Sequence, residues 1–365
     1  MSKRIDVKRF DNHCYDIVIE RSFDNLKDEF EKLNIKNIKL CVVTDSNVGP
    51  LYGDELVKVL KSTGNEVYLF TMPAGEENKN IDVVQDVYAY LIENHFERKD
   101  MLVALGGGVV GDLTGFSAAT YLRGIDFIQV PTSLLAQVDS SIGGKTGVDF
   151  RGYKNMVGAF HMPRLVYMNT STLSSLSTRL FNSGFGEIIK HGLIKDKTYF
   201  EFLDINCDKI KALEPETIEE MIYRSCLIKA DVVNNDPTEK GERALLNFGH
   251  TLGHAVEKLM NFTLFHGECV SLGMITASYI SYKRGNISED DYNNILNMIK
   301  KYDFPVEVSN ISVTDVINVS KSDKKMENGK VKFILLERLG KAYIDKTVTD
   351  AELEESLEII IAGVK

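Results

Sequence analysis

The sequence predicts an α/β N-terminal domain, with a doubly wound and mostly parallel sheet, followed by a mainly α-helical C-terminal domain. Three observations predict this fold class. In the first half, short β-branched runs alternate with amphipathic stretches, and parallel strands need such crossover segments between them. After about Ser183 the pattern changes to helical periodicity. The length of 365 residues also exceeds the usual size of one hydrophobic core, which favours two domains.

The predicted elements follow one another in chain order. Short apolar runs rich in β-branched residues predict strands at residues 38–44, 66–72, 101–105 and 127–130, with a late strand at residues 332–336. Helical periodicity is clearest at residues 82–94, 214–233 and 252–260. We expect the domain boundary near residues 175–183, so that residues 1–179 form the α/β domain and residues 180–365 the helical domain.

Composition excludes several classes of protein. The hydrophobic fraction of 44% and the charged fraction of 26% are typical of a globular protein, and no apolar run approaches the roughly 20 residues that cross a bilayer. The N-terminal residues are charged and lack the apolar stretch of a signal peptide, so we expect a cytoplasmic protein with no membrane partner. The net charge of -10 argues against binding to nucleic acid.

The five cysteines are scattered and contain no C-x-x-C pair. This pattern argues against a disulfide framework and against a thiolate zinc site. We expect reduced thiols, mostly buried.

A glycine-rich turn follows the predicted strand at residues 101–105. Gly106, Gly108 and Gly111 satisfy the G-x-G-x-x-G pattern directly before a helical stretch. Such glycines let the backbone approach a pyrophosphate, and the helix N-terminus offers free N–H groups. The strand is a later one than in an ordinary Rossmann unit, and the acidic residue best placed for a ribose is Asp45, after an earlier strand. The pattern therefore predicts a dinucleotide that lies across several strand ends, with a plain glycine turn as the alternative.

A second group of residues is typical of a metal site. His250 and His254 are four residues apart, hence on one helical face, His266 follows, and Glu187 belongs to a separate helix. Three nitrogen or oxygen ligands with an open position describe a catalytic zinc site. Together with His191, these histidines lie in short glycine-flanked motifs, which favours a metal site over histidines of the core. The spacing leaves open whether His254 is a ligand or a neighbour of the ligands.

Three segments carry a resemblance to a known family. Residues 139–147 (DSSIGGKTG), 186–192 (GEIIKHG) and 243–255 (RALLNFGHTLGHA) resemble the signature segments of the 3-dehydroquinate synthases, which belong to the sugar phosphate cyclases. The resemblance extends from residues 75–79 to residues 323–325. It implies a dehydroquinate synthase-like fold, with NAD bound by the first domain and a metal and substrate bound by the second.

The resemblance also implies the residues of each site. The metal, zinc or cobalt, would be held by Glu187, His250 and His266. NAD would contact residues near the strand ends: Asp45, Glu76, Lys79, Gly107, Gly108, Val109, Val110, Gly111, Asp112, Thr132, Ser133, Lys145, Lys154, Thr172, Leu173, Ser174 and Ser175. The catalytic and anion-binding residues would be Lys190, Lys145, Asp139, His254, Asn247, Arg243, Lys229, Asn155, one or both of Lys324 and Lys325, and Arg123, which the family lends across a homodimer interface.

Two positions depart from the family pattern. Gly186 stands where the family usually has alanine, and Asn169 stands where an acidic residue is usual. Neither departure removes a functional side chain, so we interpret both as local drift.

The implied activity is that of an NAD- and metal-dependent carbon–oxygen lyase of the shikimate pathway, which leads to chorismate and the aromatic amino acids. The substrate would be 3-deoxy-D-arabino-heptulosonate 7-phosphate, converted by transient oxidation, phosphate elimination, reduction and intramolecular aldol closure. Lys190 and Lys145 would orient the substrate electrostatically, with Asp139 helping to fix them. The alternatives are a sibling sugar-phosphate cyclase, a metal-dependent polyol dehydrogenase and a non-catalytic NAD-binding regulator.

Overall fold

The computed structural model describes residues 3–9, 12–237, 241–261, 263–322, 326–327 and 330–363. The strands are β1 (Lys3–Arg9), β2 (Asn12–Glu20), β3 (Lys39–Asp45), β4 (Glu66–Met72), β5 (Met101–Gly106), β6 (Asp126–Pro131), β7 (Lys145–Phe150), β8 (Tyr153–Phe160), β9 (Leu165–Asn169), β10 (Met326–Glu327), β11 (Lys330–Val331), β12 (Phe333–Arg338) and β13 (Lys341–Asp345). The helices are α1 (Leu26–Lys32), α2 (Asp54–Lys61), α3 (Ile81–Glu93), α4 (Gly108–Thr120), α5 (Thr178–Lys195), α6 (Lys197–Ile205), α7 (Cys207–Lys211), α8 (Pro215–Asn235), α9 (His250–Leu259), α10 (His266–Lys283), α11 (Glu289–Lys301), α12 (Val313–Ser322) and α13 (Asp350–Leu357).

The elements singled out in the sequence are confirmed within one or two residues at most ends. The four predicted N-terminal strands are β3, β4, β5 and β6, the predicted late strand is β12, and the three predicted helices are α3, α8 and α9. The fold class is also confirmed, because a mostly parallel α/β region precedes a mainly helical one.

The chain divides into two compact units. The first comprises Met1–Leu176 and Ile218–Pro237, and the second comprises Ser177–Thr217 and Thr238–Lys365. The division therefore differs from a single boundary at residues 179/180, since most of α8 belongs to the first unit. The reason is local: the Lys229 ammonium donates to Asp139, and Lys3 and Arg21 pair with Glu220 and Glu219.

The first unit is built on a seven-stranded sheet in its described part. The strand order is β1-β2-β9-β6-β5-β3-β4, and every neighbouring pair except the antiparallel β1 and β2 is parallel. Alternate side chains of a strand point to opposite faces. Accordingly Cys41 and Val43 of β3 enter one buried cluster while Leu40 and Val42 enter another. Because both faces are covered, the sheet is doubly wound, as predicted.

A two-stranded hairpin accompanies this sheet. Strands β7 and β8 pair antiparallel, with Lys145 opposite Phe160. On β8, Val157 and Ala159 pack against the core, whereas Met156 and Phe160 are about half exposed. The alternation gives β8 an apolar outer face, which is unusual for an exposed strand.

The second unit is mainly helical and depends on close helix approaches. Helices α9 and α10 pack together at glycines, because a Cβ on Gly253 would lie 2.7 Å from the Cys269 carbonyl oxygen and one on Gly273 would lie 1.8 Å from the Gly249 carbonyl oxygen. Gly249 itself has a φ of +78°, a conformation that favours glycine. These contacts fix the start of α9 against α10.

Two further expectations can be compared with the structure. The five cysteines are free, and four of them are buried, as expected. Within the part of the chain that the structure describes, no helix has the length and apolar character needed to span a membrane.

Candidate active site

The glycine-rich turn lies where β5 ends and α4 begins. Gly107 precedes the first helical residue, so the first N–H groups of α4 have no partner within the helix. A Cβ on Gly108 would lie 3.0 Å from the Ser140 hydroxyl oxygen, and one on Gly107 would lie 3.4 Å from that of Ser133. The bare backbone thus leaves room for an anion at the helix N-terminus.

The third glycine of the motif has a different role. A Cβ on Gly111 would lie 2.6 Å from Oε1 of Gln129 on β6, and one on Gly115 would lie 2.4 Å from Thr146. Glycine at these positions therefore lets α4 pack closely against the sheet, as the third glycine of dinucleotide-binding turns does.

A buried lysine links three of the predicted residues. The Lys79 ammonium donates to Asp112 Oδ2 and to Asn155 Oδ1, both at 2.7 Å. Burial alone would lower the pKa of Lys79, but attraction from Asp112 and Glu76 outweighs it and the pKa is raised. Burial raises the pKa of Asp112, and Lys79 opposes that shift. Asn155 adopts a φ of +54°, and its N–H donates to Asp149 at 2.7 Å.

Other predicted NAD contacts lie at neighbouring strand ends. Asp45 ends β3, and its Oδ1 accepts the N–H groups of Asn47 and Val48 at 2.8 Å. The Thr132 N–H donates to the Gly106 carbonyl at 2.9 Å, and the Thr172 hydroxyl donates to the Thr132 carbonyl at 3.3 Å. The carboxyl ends of β3, β5, β6 and β9 thus collect these residues, which is where α/β sheets bind ligands.

The turn after β9 explains the unusual Asn169. Its Oδ1 accepts from the N–H and the hydroxyl of Ser171, at 3.0 and 2.8 Å, and so caps the 3-10 turn Thr170–Ser175. That turn contains Thr172, Leu173, Ser174 and Ser175. An amide performs this capping as well as a carboxylate would.

The remaining predicted residues of the first unit are placed as follows. Lys229 on α8 is buried and donates to both the carbonyl and the carboxylate of Asp139. Lys145 at the start of β7, Lys154 on β8 and Glu76 in the turn Glu76–Asn78 are exposed. Arg123 is exposed and has a φ of +71°.

The second unit brings the predicted metal ligands together. Glu187 on α5 is 1% exposed, and its Oε1 lies 3.4 Å from His250 Nε2 and 3.2 Å from His266 Nε2. His250 begins α9 and His266 begins α10. A Cβ on Gly267 would lie 2.2 Å from the Ser183 carbonyl oxygen, so the glycine lets α10 approach α5 beside Glu187. Three converging atoms of an O, N, N donor set fit a divalent ion.

Electrostatics keep Glu187 and His250 in the form that a metal requires. Burial opposes ionisation of Glu187, but Lys190 and His250 outweigh it and hold the pKa of the carboxyl well below its usual range. The buried Lys190 ammonium donates to Oε2 of Glu187, which leaves Oε1 facing the histidines. Burial and the Lys190 charge lower the pKa of His250, so its imidazole is neutral near pH 7. Metal ligands must be deprotonated in this way.

The histidine rings are oriented by acceptors. His250 Nδ1 lies 3.1 Å from the Phe248 carbonyl oxygen, which can only accept a hydrogen bond. Nδ1 therefore carries the proton, and Nε2 has the lone pair that can bind a metal. Burial would lower the pKa of His266, but Glu187 and Glu257 outweigh it and raise that pKa to about 9. Without an ion, His266 is therefore protonated near pH 7, and its positive charge is stabilised by Glu187 and Glu257.

His254 lies beside the ligands. Its ring centroid is 5.1 Å from that of His250 and 5.9 Å from that of His266. Arg243 is buried in the 3-10 turn Glu242–Asn247, and Asn247 ends that turn. Lys324 and Lys325 lie outside the described residues.

Sequence reasoning did not single out Glu257 or Asp149. Glu257 is buried on α9, with Oε2 3.9 Å from His266 Nδ1. It lies three residues after His254 and seven after His250, a helical spacing that could have identified it. Asp149 carries no comparable signal, because its contact with Asn155 depends on the tight β7–β8 turn.

Comparisons with known proteins agree with this arrangement. Residues 69–183 match the family model for the 3-dehydroquinate synthase N-terminal region, and residues 184–326 match that for the 3-dehydroquinate synthase C-terminal region. A protein of Acetivibrio thermocellus named 3-dehydroquinate synthase is 47% identical over 315 residues, which cover 86% of this chain and 88% of that protein.

Two solved structures have the same fold. A 2-epi-5-epi-valiolone synthase from Streptomyces hygroscopicus with NAD+ and Zn2+ bound is 26% identical with a TM-score of 0.87, covering 96% of this chain and 98% of that one. A 2-deoxy-scyllo-inosose synthase complexed with carbaglucose-6-phosphate, NAD+ and Co2+ is 25% identical with a TM-score of 0.86, covering 98% and 99%. Since the two family models together match most of its residues, this chain belongs to the 3-dehydroquinate synthase family.

Proposed function

We propose that this chain is a phosphate-eliminating carbon–oxygen lyase that converts 3-deoxy-D-arabino-heptulosonate 7-phosphate into 3-dehydroquinate and phosphate. The observation that carries the proposal is the convergence of Glu187, His250 and His266 beside the buried Lys190, in a chain of this family. The relative that is 47% identical bears the name of this activity.

The metal is proposed to be zinc or cobalt, the ions named with the two solved neighbours. Bound at Glu187, His250 and His266, a divalent ion would polarise substrate hydroxyl groups as a Lewis acid. The chain supplies an ionised Glu187 and two imidazoles whose Nε2 atoms face it. The Lys190 ammonium offsets the negative charge of Glu187, and it can also donate a hydrogen bond to an anionic substrate.

NAD is proposed to bind in the first unit. When bound, it would accept a hydride and later return it, so that it is not consumed. The N-terminus of α4 fits a pyrophosphate, and Asp45, held by two backbone N–H groups, fits a ribose hydroxyl. The other proposed contacts are Glu76, Lys79, Asp112, Thr132, Ser133, Lys145, Lys154 and the turn at residues 172–175, and Lys79 also donates to Asp112.

The substrate carries a phosphate and a carboxylate, and the chain offers matching cations. Arg243 and Lys229 are buried although the chain has a net charge of -10. Buried guanidinium and ammonium groups are typical of anion recognition. We propose that Lys229, which is held by Asp139, acts with Asn155 and Lys145 of the first unit, and that Arg243 acts with Asn247, His254 and Lys190 of the second. Lys190 and Lys145 are proposed to orient the substrate.

A sibling sugar-phosphate cyclase is the second candidate. It is favoured by the likeness of both solved neighbours, which are cyclases of other names. Their identity of 25–26% is well below the 47% of the 3-dehydroquinate synthase relative.

The test is phosphate release by the purified protein with catalytic NAD. The substrates are 3-deoxy-D-arabino-heptulosonate 7-phosphate, glucose 6-phosphate and sedoheptulose 7-phosphate, each before and after chelation of the metal. We expect metal-dependent release from the sugar acid alone, without accumulation of NADH. Release from a neutral sugar phosphate would make the protein a sibling cyclase, and net NADH formation from a polyol would make it a dehydrogenase.

We also propose that the chain forms a homodimer through β8. Met156 and Phe160 share the outer face of this strand and are 46% and 50% exposed. Within the described residues β7 and β8 form a two-stranded sheet, which a strand of a second copy could extend. A twofold interface places the same strand of each copy side by side, which covers both the edge and the apolar face.

A further inference from the structure

The strongest feature that the proposed function leaves unused is the buried carboxylate of Glu257. It lies on α9, on the same helical face as His250 and His254, and is 9% exposed. Glutamate side chains are seldom buried, and a buried carboxylate needs a compensating charge or hydrogen bond. One group that faces it is the imidazole of His266, whose Nδ1 is 3.9 Å from Glu257 Oε2.

The two nitrogens of His266 therefore face two different carboxylates. Nε2 lies 3.2 Å from Glu187 Oε1, at the proposed metal position, and Nδ1 faces Glu257 on the other side. A neutral imidazole has one protonated nitrogen and one unprotonated nitrogen, whose lone pair can bind a metal. When an ion binds at Nε2 the proton must lie on Nδ1, and Glu257 is the acceptor that faces it there.

His250 shows the same arrangement with a different acceptor. Its Nδ1 faces the Phe248 carbonyl oxygen at 3.1 Å, and its Nε2 faces Glu187. The distance of 3.9 Å at His266 exceeds that of a direct hydrogen bond, so in this structure Glu257 acts on the ring mainly through its charge. Both rings thus present Nε2 to the proposed ion, and each has an acceptor oxygen on the side of Nδ1.

Charge gives Glu257 a second effect. Among the described groups of this cluster, the negative charge of Glu187 is offset by the Lys190 ammonium that bonds to it. The Glu257 carboxylate beside His266 adds negative charge close to the position proposed for the divalent ion. Its negative charge also makes His266 a stronger donor.

We propose that Glu257 is a positioning residue that orients His266 and increases the affinity of the site for its metal. This inference rests on the proposed metal site. A competing arrangement is also present, because ligand atoms of His254, Glu257 and His266 lie within 4.8 Å of one another. If Glu257 were itself a ligand, its removal would act like removal of His266.

The experiment measures zinc affinity by competition with a chromophoric chelator, on the metal-free full chain. The variants are Glu257→Gln, which keeps an acceptor oxygen but loses the charge, and Glu257→Ala, which loses both. His266→Ala removes a proposed ligand and is expected to abolish binding with the fold retained. Glu354→Gln removes an exposed carboxylate of α13 and is the matched control.

We expect zinc affinity about tenfold weaker in Glu257→Gln and nearer a hundredfold weaker in Glu257→Ala, the range for groups that hold a metal-bound histidine. The control should match the unmodified chain. The visible bands of the cobalt-loaded protein should shift in both Glu257 variants, while the circular dichroism of the metal-free forms stays unchanged. A purely structural role would leave the cobalt bands in place.

Each other outcome is decisive. Unchanged zinc affinity in both Glu257 variants overturns the inference. Loss of binding in Glu257→Gln as complete as in His266→Ala makes Glu257 a ligand and also overturns it. Absence of zinc binding by the unmodified chain would instead overturn the proposed metal site.

Discussion

At the residue scale, the pair of Lys79 and Asp112 shows how two charges become stable in a nearly dry position. Their side chains are only 5% and 18% exposed, and the ammonium also donates to Asn155. Removing one partner from a buried pair leaves the other charge desolvated, which is far more destabilising than losing a surface pair. The pair therefore holds the helix α4 N-terminus and the β7–β8 hairpin in one arrangement.

We predict that Lys79→Met lowers the free energy of unfolding at pH 7 by about 3 kcal/mol, measured by urea denaturation. Asp112→Asn should have a similar effect, since it leaves the ammonium unpaired. The double variant should be less destabilised than the sum of the two, because neither charge then remains. Lys99→Met, which breaks an exposed pair with Glu97, should change stability by less than about 0.5 kcal/mol. Strict additivity of the two buried substitutions would contradict the coupling.

Single residues also show what the sequence could and could not predict. The resemblance named Lys79, Asp112 and Asn155 as separate contacts, whereas in the structure Lys79 donates to both others, and Asn155 meets it from a position on β8 with positive φ. Asn169, which stands where an acidic residue is usual, accepts two hydrogen bonds from Ser171 in the structure. Its capping role could not be predicted, because it depends on the backbone path after β9.

At the element scale, the metal site depends on three helices that approach one another through glycines. Gly267 follows His266 and faces the backbone of α5, while Gly186 precedes Glu187 and faces Gly267. A side chain at either position would separate α5 from α10 at the level of the ligands. The resemblance identified Gly186 as a departure from alanine, and in the structure a Cβ on Gly186 would lie 3.0 Å from the Gly267 backbone.

We predict different effects for alanine at these two glycines. In Gly267→Ala the new Cβ would lie 2.2 Å from the Ser183 carbonyl oxygen, so the helices must move apart. Stability should fall by about 1–3 kcal/mol, as for overpacked cores. Zinc affinity should fall at least roughly tenfold, as for other disturbances of ligand orientation. Gly186→Ala meets only a 3.0 Å contact and should lose less than about 1 kcal/mol. Equal zinc affinities in the two variants would show that helix spacing does not control the site.

Elements differ in how well their patterns predict them. Buried parallel strands such as β3 and β5 are continuous apolar runs, and long amphipathic helices such as α3 are periodic, so both were found. The β7–β8 hairpin was not singled out, because it contains glycines and charged residues that belong to the recognition motifs. The placement of most of α8 with the first unit follows from its tertiary contacts, which helical periodicity does not report.

At the scale of the whole molecule, each unit carries its own set of candidate residues. The first unit gathers the residues proposed to bind NAD at several strand ends, and the second gathers the proposed metal ligands from α5, α9 and α10. Composition could predict two domains and an acidic chain, and short motifs could predict the two sets. Neither could single out β8 as the proposed interface between two copies, since that proposal depends on which alternate residues of β8 face outward.

The proposed dimer makes a prediction that belongs to the molecule as a whole. The double substitution Met156→Glu and Phe160→Glu places four carboxylates at a twofold interface, where like charges would have to be desolvated together. Sedimentation equilibrium should then report a monomer, whereas the unmodified chain should sediment as a dimer. Ile92→Glu, at a residue of α3 that is 62% exposed, changes an apolar surface residue elsewhere in the same unit and should leave the dimer intact. If the double variant is still a dimer, the interface does not lie on β8. If the unmodified chain is a monomer, the proposed dimer is wrong.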